Sequence, residues 1–438
     1  MLRILISVIL GAGLISVPAF AGTYDKQIHS AMDYLVATQT TGAEGYDPGQ
    51  WKSQVTSTLP SFIGVGKDGI PFEEPSAFVA GSVANILAEM YFLKPFDARV
   101  PEVLHKTIGG FQPYEWGAVY HFYPPALYQG LPIRNPRHMF LKLRFQGFAD
   151  TPPDNDTTAV SFLTQAYSEA IDRNEPLTRS DFRLGRDSLA LMTEYRDENR
   201  VKPHTYNRIH GWVDTGAYLT WIWDETNPNS PRYWLAHPDQ GTRIPFNVND
   251  VDCIVNANML KLLSVSHQTQ APGFESSCHY LNEVVAREGF FSCGMYYPSI
   301  YLLPYTLAVA HHGGLSCADE SREHLLKYVI QKQRPDGWWA NDPHARPDYV
   351  QSTAWAVNTV MMLGNPHDPD QRKRVQQALR NLLSQGLRDS AGRLYWKGEV
   401  FYAATFIARR PVVWRSDAYT TASVIRALQY ADQVWGLK

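Results

Sequence analysis

The chain has 438 residues, 44% of them hydrophobic and 13% aromatic, with 40 Lys and Arg against 43 Asp and Glu for a formal net charge of -3. This is enough apolar material for one large core or two medium ones, and it excludes a disordered or collagen-like chain. Without a basic run of five or more residues, the electrostatic footprint of a nucleic-acid binder is missing, and nucleic acid is dropped as a partner.

At the N-terminus, MLRILISVILGAGLISVPAFA places Arg3 before an apolar stretch from Ile4 to Val17 and closes on Ala19-Phe20-Ala21, a small-x-small cleavage site ahead of Gly22. Residues 1–21 read as a cleavable secretory signal peptide, with an apolar stretch too short for a membrane span. The mature chain, 22–438, is expected to be one domain, exported to a periplasm or secreted. No later segment approaches a span, so any membrane contact would be peripheral.

Along the mature chain one unit recurs: a polar amphipathic helix, a loop with Gly followed by an aromatic, then a helix rich in small apolar residues. The loop signal falls at Gly45-Tyr46, Gly110-Phe111, Gly216 with Tyr218, Gly289-Phe290, PDGWW (335–339) and AGRLYW (391–396). The second helices are predicted to begin near Pro75, Asp154, Asp250, Pro298, Asp348 and Asp417. The two shortest spacings, from Asp250 to Pro298 to Asp348, agree with a unit of about 50 residues, and the longer ones hold inserted loops. In one insert, AYLTWIWDE (217–225), aromatic and β-branched residues alternate and predict a strand or hairpin.

Second helices that are apolar on several sides, as at Ala354, Val357 and Met361 or at Ala422 and Ile425, must be shielded from water. A closed ring does this, giving an all-α, single (α/α)6 toroid with a small β-hairpin insertion, in preference to an open solenoid. The inner helices then run parallel and gather their N-termini at one mouth. Glu73, Glu74, Asp154, Asp156, Asp250, Asp252, Asp348 and Asp417 collect there, most of them explained as helix caps.

Four cysteines, Cys253, Cys278, Cys293 and Cys317, allow one or two disulfides in an oxidising compartment, with three pairings open if all are used. His311 and His312 precede Cys317 at a spacing that matches no common zinc site, so a structural metal is the weaker reading. The D-x-[DN]-x-[DN]-G loop, G-x-S-x-G, G-x-G-x-x-G and the P-loop are absent, and neither a metal nor a nucleotide cofactor is expected. His204, His210, His311 and His312 read as ordinary surface or core histidines.

Two motifs carry a family resemblance. Asp154-Asn155-Asp156-Thr157-Thr158-Ala159-Val160 resembles the D-x-D-D-T-A motif of class II terpene cyclases of the squalene–hopene cyclase type, and more closely their D-x-D-T-T variant, with Thr157 where many members have a further Asp. Gln333-Arg334-Pro335-Asp336-Gly337-Trp338-Trp339 resembles their Q-x-x-D-G-x-W repeat, whose Gln and Trp tie neighbouring helix pairs together. The resemblance implies an α/α toroid in which Asp156, with Asp154 as partner, protonates an isoprenoid alkene or epoxide and starts a carbocation cyclisation. That role needs a carboxyl kept protonated by burial and by its neighbouring charge, against the pull of a helix N-terminus. Aromatic faces would stabilise the cation, and Trp338, Trp339, Trp355 and Trp396 are the candidates.

Export gives weight to a second reading, a glycan-active α/α-barrel hydrolase or lyase with Asp156 and Asp250 or Asp252 as the acid and the base. A toroid that binds a lipid or a protein without catalysis is the third.

Overall fold

The computed structural model describes residues 22–43, 46–57, 72–128, 130–134, 150–177, 181–225, 241–244, 248–341, 349–404 and 412–437. The leading 21 residues, Gly45 and Asp348 lie outside the described residues.

Helices come in pairs along the chain: α1 (Asp25–Thr38) with α2 (Ala77–Leu93), then α3 (Val100–Gly109) with α4 (Asn155–Asp172). A third pair, α5 (Arg186–Glu194) and α7 (Cys253–Val265), holds the short α6 (Thr205–His210) between its members. The rest are α8 (Phe274–Ala286) with α9 (Leu302–His312), α10 (Arg322–Gln331) with α11 (Val350–Leu363), and α12 (Pro369–Ser384) with α13 (Asp417–Gln433). Each second helix starts within a few residues of its predicted position.

The two kinds of helix differ as their sequences dictate. In α12 the buried side chains are Val375, Ala378, Leu379 and Leu382, one stripe at helical spacing, while every residue of α11 from Gln351 to Leu363 is buried. The second helices pack in succession, α2 on α4, α4 on α7, α7 on α9, α9 on α11, α11 on α13, and α13 returns to α2. The first helices lie outside them, α3 against both α2 and α4, and α12 against both α11 and α13. This is a helical toroid with one large core and a small separate cluster, Val400, Ala403 and Val413.

Loop tryptophans staple the outer helices to the inner ones. Trp339 donates its indole N–H to Val329 O at 2.7 Å at the end of α10, and its backbone N–H to Thr353 Oγ1 at 3.0 Å in α11. Trp396 repeats the pattern, with Leu382 O at 2.6 Å and Thr421 Oγ1 at 3.0 Å. Gln333 donates to Arg374 O at 3.2 Å in α12, and Gln39 to Val103 O at 3.1 Å in α3, so each reaches the next outer helix.

The strands lie in the connections. β1 (Lys52–Ser57), β2 (Phe72–Pro75), β9 (Val400–Ala404) and β10 (Val412–Arg415) form one antiparallel sheet in the order β2-β1-β10-β9. Its central pairing, Gln54 with Arg415 through Ser57 with Val412, joins the first helix pair to the last. Three two-stranded hairpins complete the set: β3 (Glu115–Trp116) with β4 (Val119–Tyr120), β5 (Pro125–Tyr128) with β6 (Leu131–Arg134), and β7 (Leu387–Arg388) with β8 (Leu394–Tyr395).

The predicted strand at 217–225 is not one of them. Tyr218 bridges to Arg196, Leu219 to Val251 and Trp221 to Asp154, so successive residues pair with three different segments and no ladder propagates. Among the described residues no helix is long and apolar enough to cross a membrane.

Candidate active site

The N-terminus of α4 is held from several sides. Asp154 caps it, accepting the Thr157 N–H on Oδ1 at 2.7 Å from an extended backbone that starts the helix at Asn155. Asn155 donates its backbone N–H to Thr220 O and its side-chain amide to Leu219 O, both at 2.8 Å. The irregular 217–225 segment therefore fixes the Asp-Asn-Asp turn.

One residue past Asn155, Asp156 points away from its own helix, to α7 and to the turn before α9. Its Oδ1 accepts from Asn258 Nδ2 on α7 at 2.6 Å, and its Oδ2 is hydrogen-bonded by the Tyr297 hydroxyl. Both carboxyls are buried, Asp154 at 4% and Asp156 at 3% exposure. Burial pushes Asp156 up to about 6 while Tyr297 and Asn258 hold it back. Asp154 is pushed further, to about 8, by burial and then by the Asp156 charge, against the Thr157 amide; its Oδ2 has no hydrogen-bond partner among the described residues. Burial and the neighbouring charge thus both favour a proton on the pair.

Asp250 and Asp252 lie in the same acidic cluster but are taken up differently. Asp250 accepts from Thr220 Oγ1 at 2.8 Å and from the Tyr296 hydroxyl at 3.3 Å, and burial raises it to about 6. Asp252 caps α7 through Ile254 N at 2.8 Å, and its Oδ2 accepts Met295 N at 2.8 Å and Tyr296 N at 3.4 Å. Burial, Asp250 and Asp156 push it to about 8 against those amides. A Cβ on Gly294 would lie 2.7 Å from Asp252 Oδ2, so the close approach requires glycine there. The Cys253–Cys293 disulfide ties this turn to the start of α7, and Cys278–Cys317 is the second bridge. The acids at 252 and 156 and the tyrosines at 296 and 297 are thus one construction.

Beside Asn258 and Tyr297 is a cavity of about 60 Å³. Its aromatic lining is Phe78, Tyr297, Tyr305, Phe401 and Tyr419. Sheet residues cover this mouth: Phe401 packs on Phe78 and Tyr419, and Tyr402 on Phe122 and Tyr296. The four tryptophans stand elsewhere. Trp339 and Trp396 are the inter-helix staples, Trp355 is fully buried between Tyr305 and Tyr419, and Trp338 is half-buried over Tyr349.

Other acids from the sequence have separate tasks. Glu73 pairs with Lys52 at 2.9 Å on the sheet, Glu74 is buried in β2, and Asp417 accepts Gly398 N at 2.6 Å while Ser416 caps α13. The N-terminus of α11 is met by Glu399, whose carboxylate accepts the amides of Tyr349, Val350 and Gln351 at 2.7–2.8 Å. His204 caps α6 and burial holds it down to about 4; His210 rests on Tyr206, His311 pairs with Asp319, and His312 lies against Tyr430. Among the described residues no cluster of three His, Cys, Asp or Glu is placed to hold a metal ion.

At the far end of the cavity is a charged group that sequence reasoning missed. Glu89 of α2 bonds Lys261 of α7, pairs with Arg426 of α13 at 2.5 Å, and accepts from Tyr167 at 3.0 Å. The signal that marks it is a single charged residue within each of the apolar helices α2 and α7, and an arginine in the middle of α13 away from the acids near its two ends, because a buried charge must find its opposite. Asn258 and Tyr297 were missed as well; Asn258 carries the same mark, an amide in the middle of apolar α7.

No protein-family model matches the chain, and comparison with curated protein sequences finds no match. Among solved structures, the type II terpene cyclase MstE from Scytonema superposes with a TM-score of 0.53 at 15% identity, covering 93% of this chain and 97% of that one. A variant of MstE in complex with geranylgeranyl dihydroxybenzoate, its substrate, matches at 16% identity with the same TM-score, over 93% and 96% of the two chains. Cellobiose 2-epimerase from Bacillus thermoamylovorans B4167 follows at 0.50, with 11% identity over 94% of this chain and all of that one. The chain has the terpenoid-cyclase-like helical toroid fold that its motifs imply.

Proposed function

We propose that this protein is a class II terpene-cyclase-like enzyme, in which Asp156 protonates an isoprenoid and starts its cyclisation. One observation carries the reading. Asp156 is a buried carboxyl, raised to about 6, that turns from its own helix toward Tyr297 and Asn258 at the edge of an aromatic-lined cavity inside a terpenoid-cyclase-like toroid. Asp154, raised to about 8, is the neighbouring proton reservoir. The rings of Phe78, Phe401 and Tyr419 would face the cation that protonation creates. At about 60 Å³ the cavity has room for only a few waters, so substrate entry requires Phe401 and the sheet above it to move aside.

The reading takes the six helix pairs as a closed (α/α)6 toroid forming one domain, 22–438, which the return contact of α13 on α2 supports. It also takes residues 1–21 as an export signal. The two disulfides support an oxidising compartment.

The test is to incubate the mature protein with polyprenyl diphosphates and squalene and to analyse the products by gas chromatography. Cyclised product is expected from the wild type, reduced about 10²–10⁴-fold in Asp156→Asn. Unchanged substrate across the panel would overturn the reading. A glycan-active enzyme would instead need an open groove with a second carboxylate facing Asp156. Asp250 and Asp252 spend their oxygens on Thr220, Tyr296 and backbone amides, which speaks against it.

A further inference from the structure

The two oxygens of Asp156 are met by donors from different segments, Oδ1 by the Asn258 amide of α7 and Oδ2 by the Tyr297 hydroxyl in the turn before α9. How well both bonds are made at once therefore depends on where that turn sits relative to α7.

Turn and helix are fastened together just short of both donors. Cys253, the first residue of α7, is disulfide-bonded to Cys293 and gives its backbone N–H to Cys293 O at 3.1 Å. Beside it, Asp252 divides its oxygens between the two segments. Oδ1 accepts Ile254 N of α7 at 2.8 Å, while Oδ2 accepts Met295 N at 2.8 Å and Tyr296 N at 3.4 Å in the turn.

A helix cap alone does not account for this arrangement. Capping uses one side-chain oxygen on an amide of the helix's own first turn, and Oδ1 already does that. The second oxygen of a fully buried carboxyl is spent on the turn instead. The turn's backbone also passes so close that a Cβ on Gly294 would lie 2.7 Å from Oδ2 and 2.8 Å from Oδ1. Bridge, carboxyl and glycine thus converge on residues 293–296, which lead directly into Tyr297, and Asn258 follows Cys253 on the helix they are joined to.

We propose that Asp252 and the Cys253–Cys293 bridge are positioning residues of the acid site. They lock the turn onto the start of α7, so that Tyr297 and Asn258 close on both oxygens of Asp156 together. The proposal rests on the reading of Asp156 as the acid, but its test needs no turnover, so failure of the cyclase assay and failure of the clamp are separate results.

The test is a pH titration of the full chain labelled with 13C at its aspartate carboxyls, in which the Asp156 resonance is the one that Asp156→Asn removes. Tyr297→Phe is expected to raise its midpoint by about one pH unit, the loss of one hydrogen bond to the charged form. Two variants loosen the clamp without touching either donor: Cys253→Ala with Cys293→Ala, and Gly294→Ala, whose methyl pushes the turn off Asp252. Each is expected to raise the midpoint by about half a unit or more, and to add nothing further in the Tyr297→Phe background. The titratable neighbours of Asp156 are Asp154, Asp252, Tyr297, Tyr402 and Tyr419, and neither clamp variant replaces any of them. Removing the other bridge, by Cys278→Ala with Cys317→Ala, is expected to lower the melting temperature and leave the midpoint where it is. Should the Cys253 and Cys293 variant fail to fold by circular dichroism, Gly294→Ala carries the test. A midpoint unmoved by loosening the clamp, a shift that adds in full to that of Tyr297→Phe, or an equal shift on removing the other bridge would overturn the proposal.

Discussion

At the scale of single residues, Asp154 and Asp156 divide the work that the D-x-D pattern assigns to a pair. Asp154 is the cap, whereas the Asp156 carboxyl is bonded across the ring to Asn258 of α7 and to Tyr297 in the turn before α9, both of which line the cavity. Tyr297 therefore tunes the acid. Its hydroxyl favours the carboxylate form, so Tyr297→Phe is expected to raise the Asp156 pKa above its present value of about 6. The limb of the kcat/KM–pH profile that reports Asp156 should then move to higher pH, with the alkaline fall delayed if the protonated acid is the active form. A limb unmoved by Tyr297→Phe would disconnect the two residues. Sequence reasoning found both aspartates because their spacing is local. It missed Tyr297 because that contact spans the ring and is set by a disulfide-tied turn with no pattern of its own.

At the scale of elements, helices were legible and strands were not, for one physical reason. Apolar periodicity and caps are written within a dozen residues, as in α12 with Asp368 at its head and its stripe of Val375, Ala378, Leu379 and Leu382. The pairing of β1 with β10 joins residues more than 350 positions apart, and no local signal specifies it. In the same way AYLTWIWDE carries a strand pattern, yet its rungs go to Arg196, Val251 and Asp154 in turn. Caps borrowed from afar are equally hidden. Glu399 closes the start of α11 from the next connection, doing what a local aspartate would ordinarily do. Glu399→Ala leaves three helix amides without that acceptor and is expected to cost about 1–2 kcal/mol, read as a lower urea midpoint at unchanged m-value. An unchanged midpoint would mean that solvent replaces the carboxylate at no cost.

At the scale of the whole molecule, the toroid concentrates acid at the N-terminal mouth and buries it, and this couples stability to pH. Asp154 and Asp252 are pushed up to about 8 from an ordinary value of 3.8, so between those limits the folded chain keeps protons that the unfolded chain has released. Stability from these groups is fully present below pH 4 and is lost as pH rises toward 8. His121 and His204 act in the opposite sense. Burial holds both down to about 4 from 6.5, so below pH 6.5 the unfolded chain binds the more protons and stability from them rises with pH. Above pH 6.5 the histidine contribution is complete and the carboxylates continue, so the melting temperature is expected to fall between pH 6.5 and pH 8. Asp154→Asn cannot titrate, and comparing its slope with the wild type isolates Asp154 together with the Asp156 carboxyl coupled to it, while groups not coupled to the pair cancel. The variant's fall over that interval should be the smaller, by on the order of a few °C in scanning calorimetry. Equal slopes would mean that Asp154 is ionised in the fold at neutral pH, leaving Asp156 without its proton reservoir.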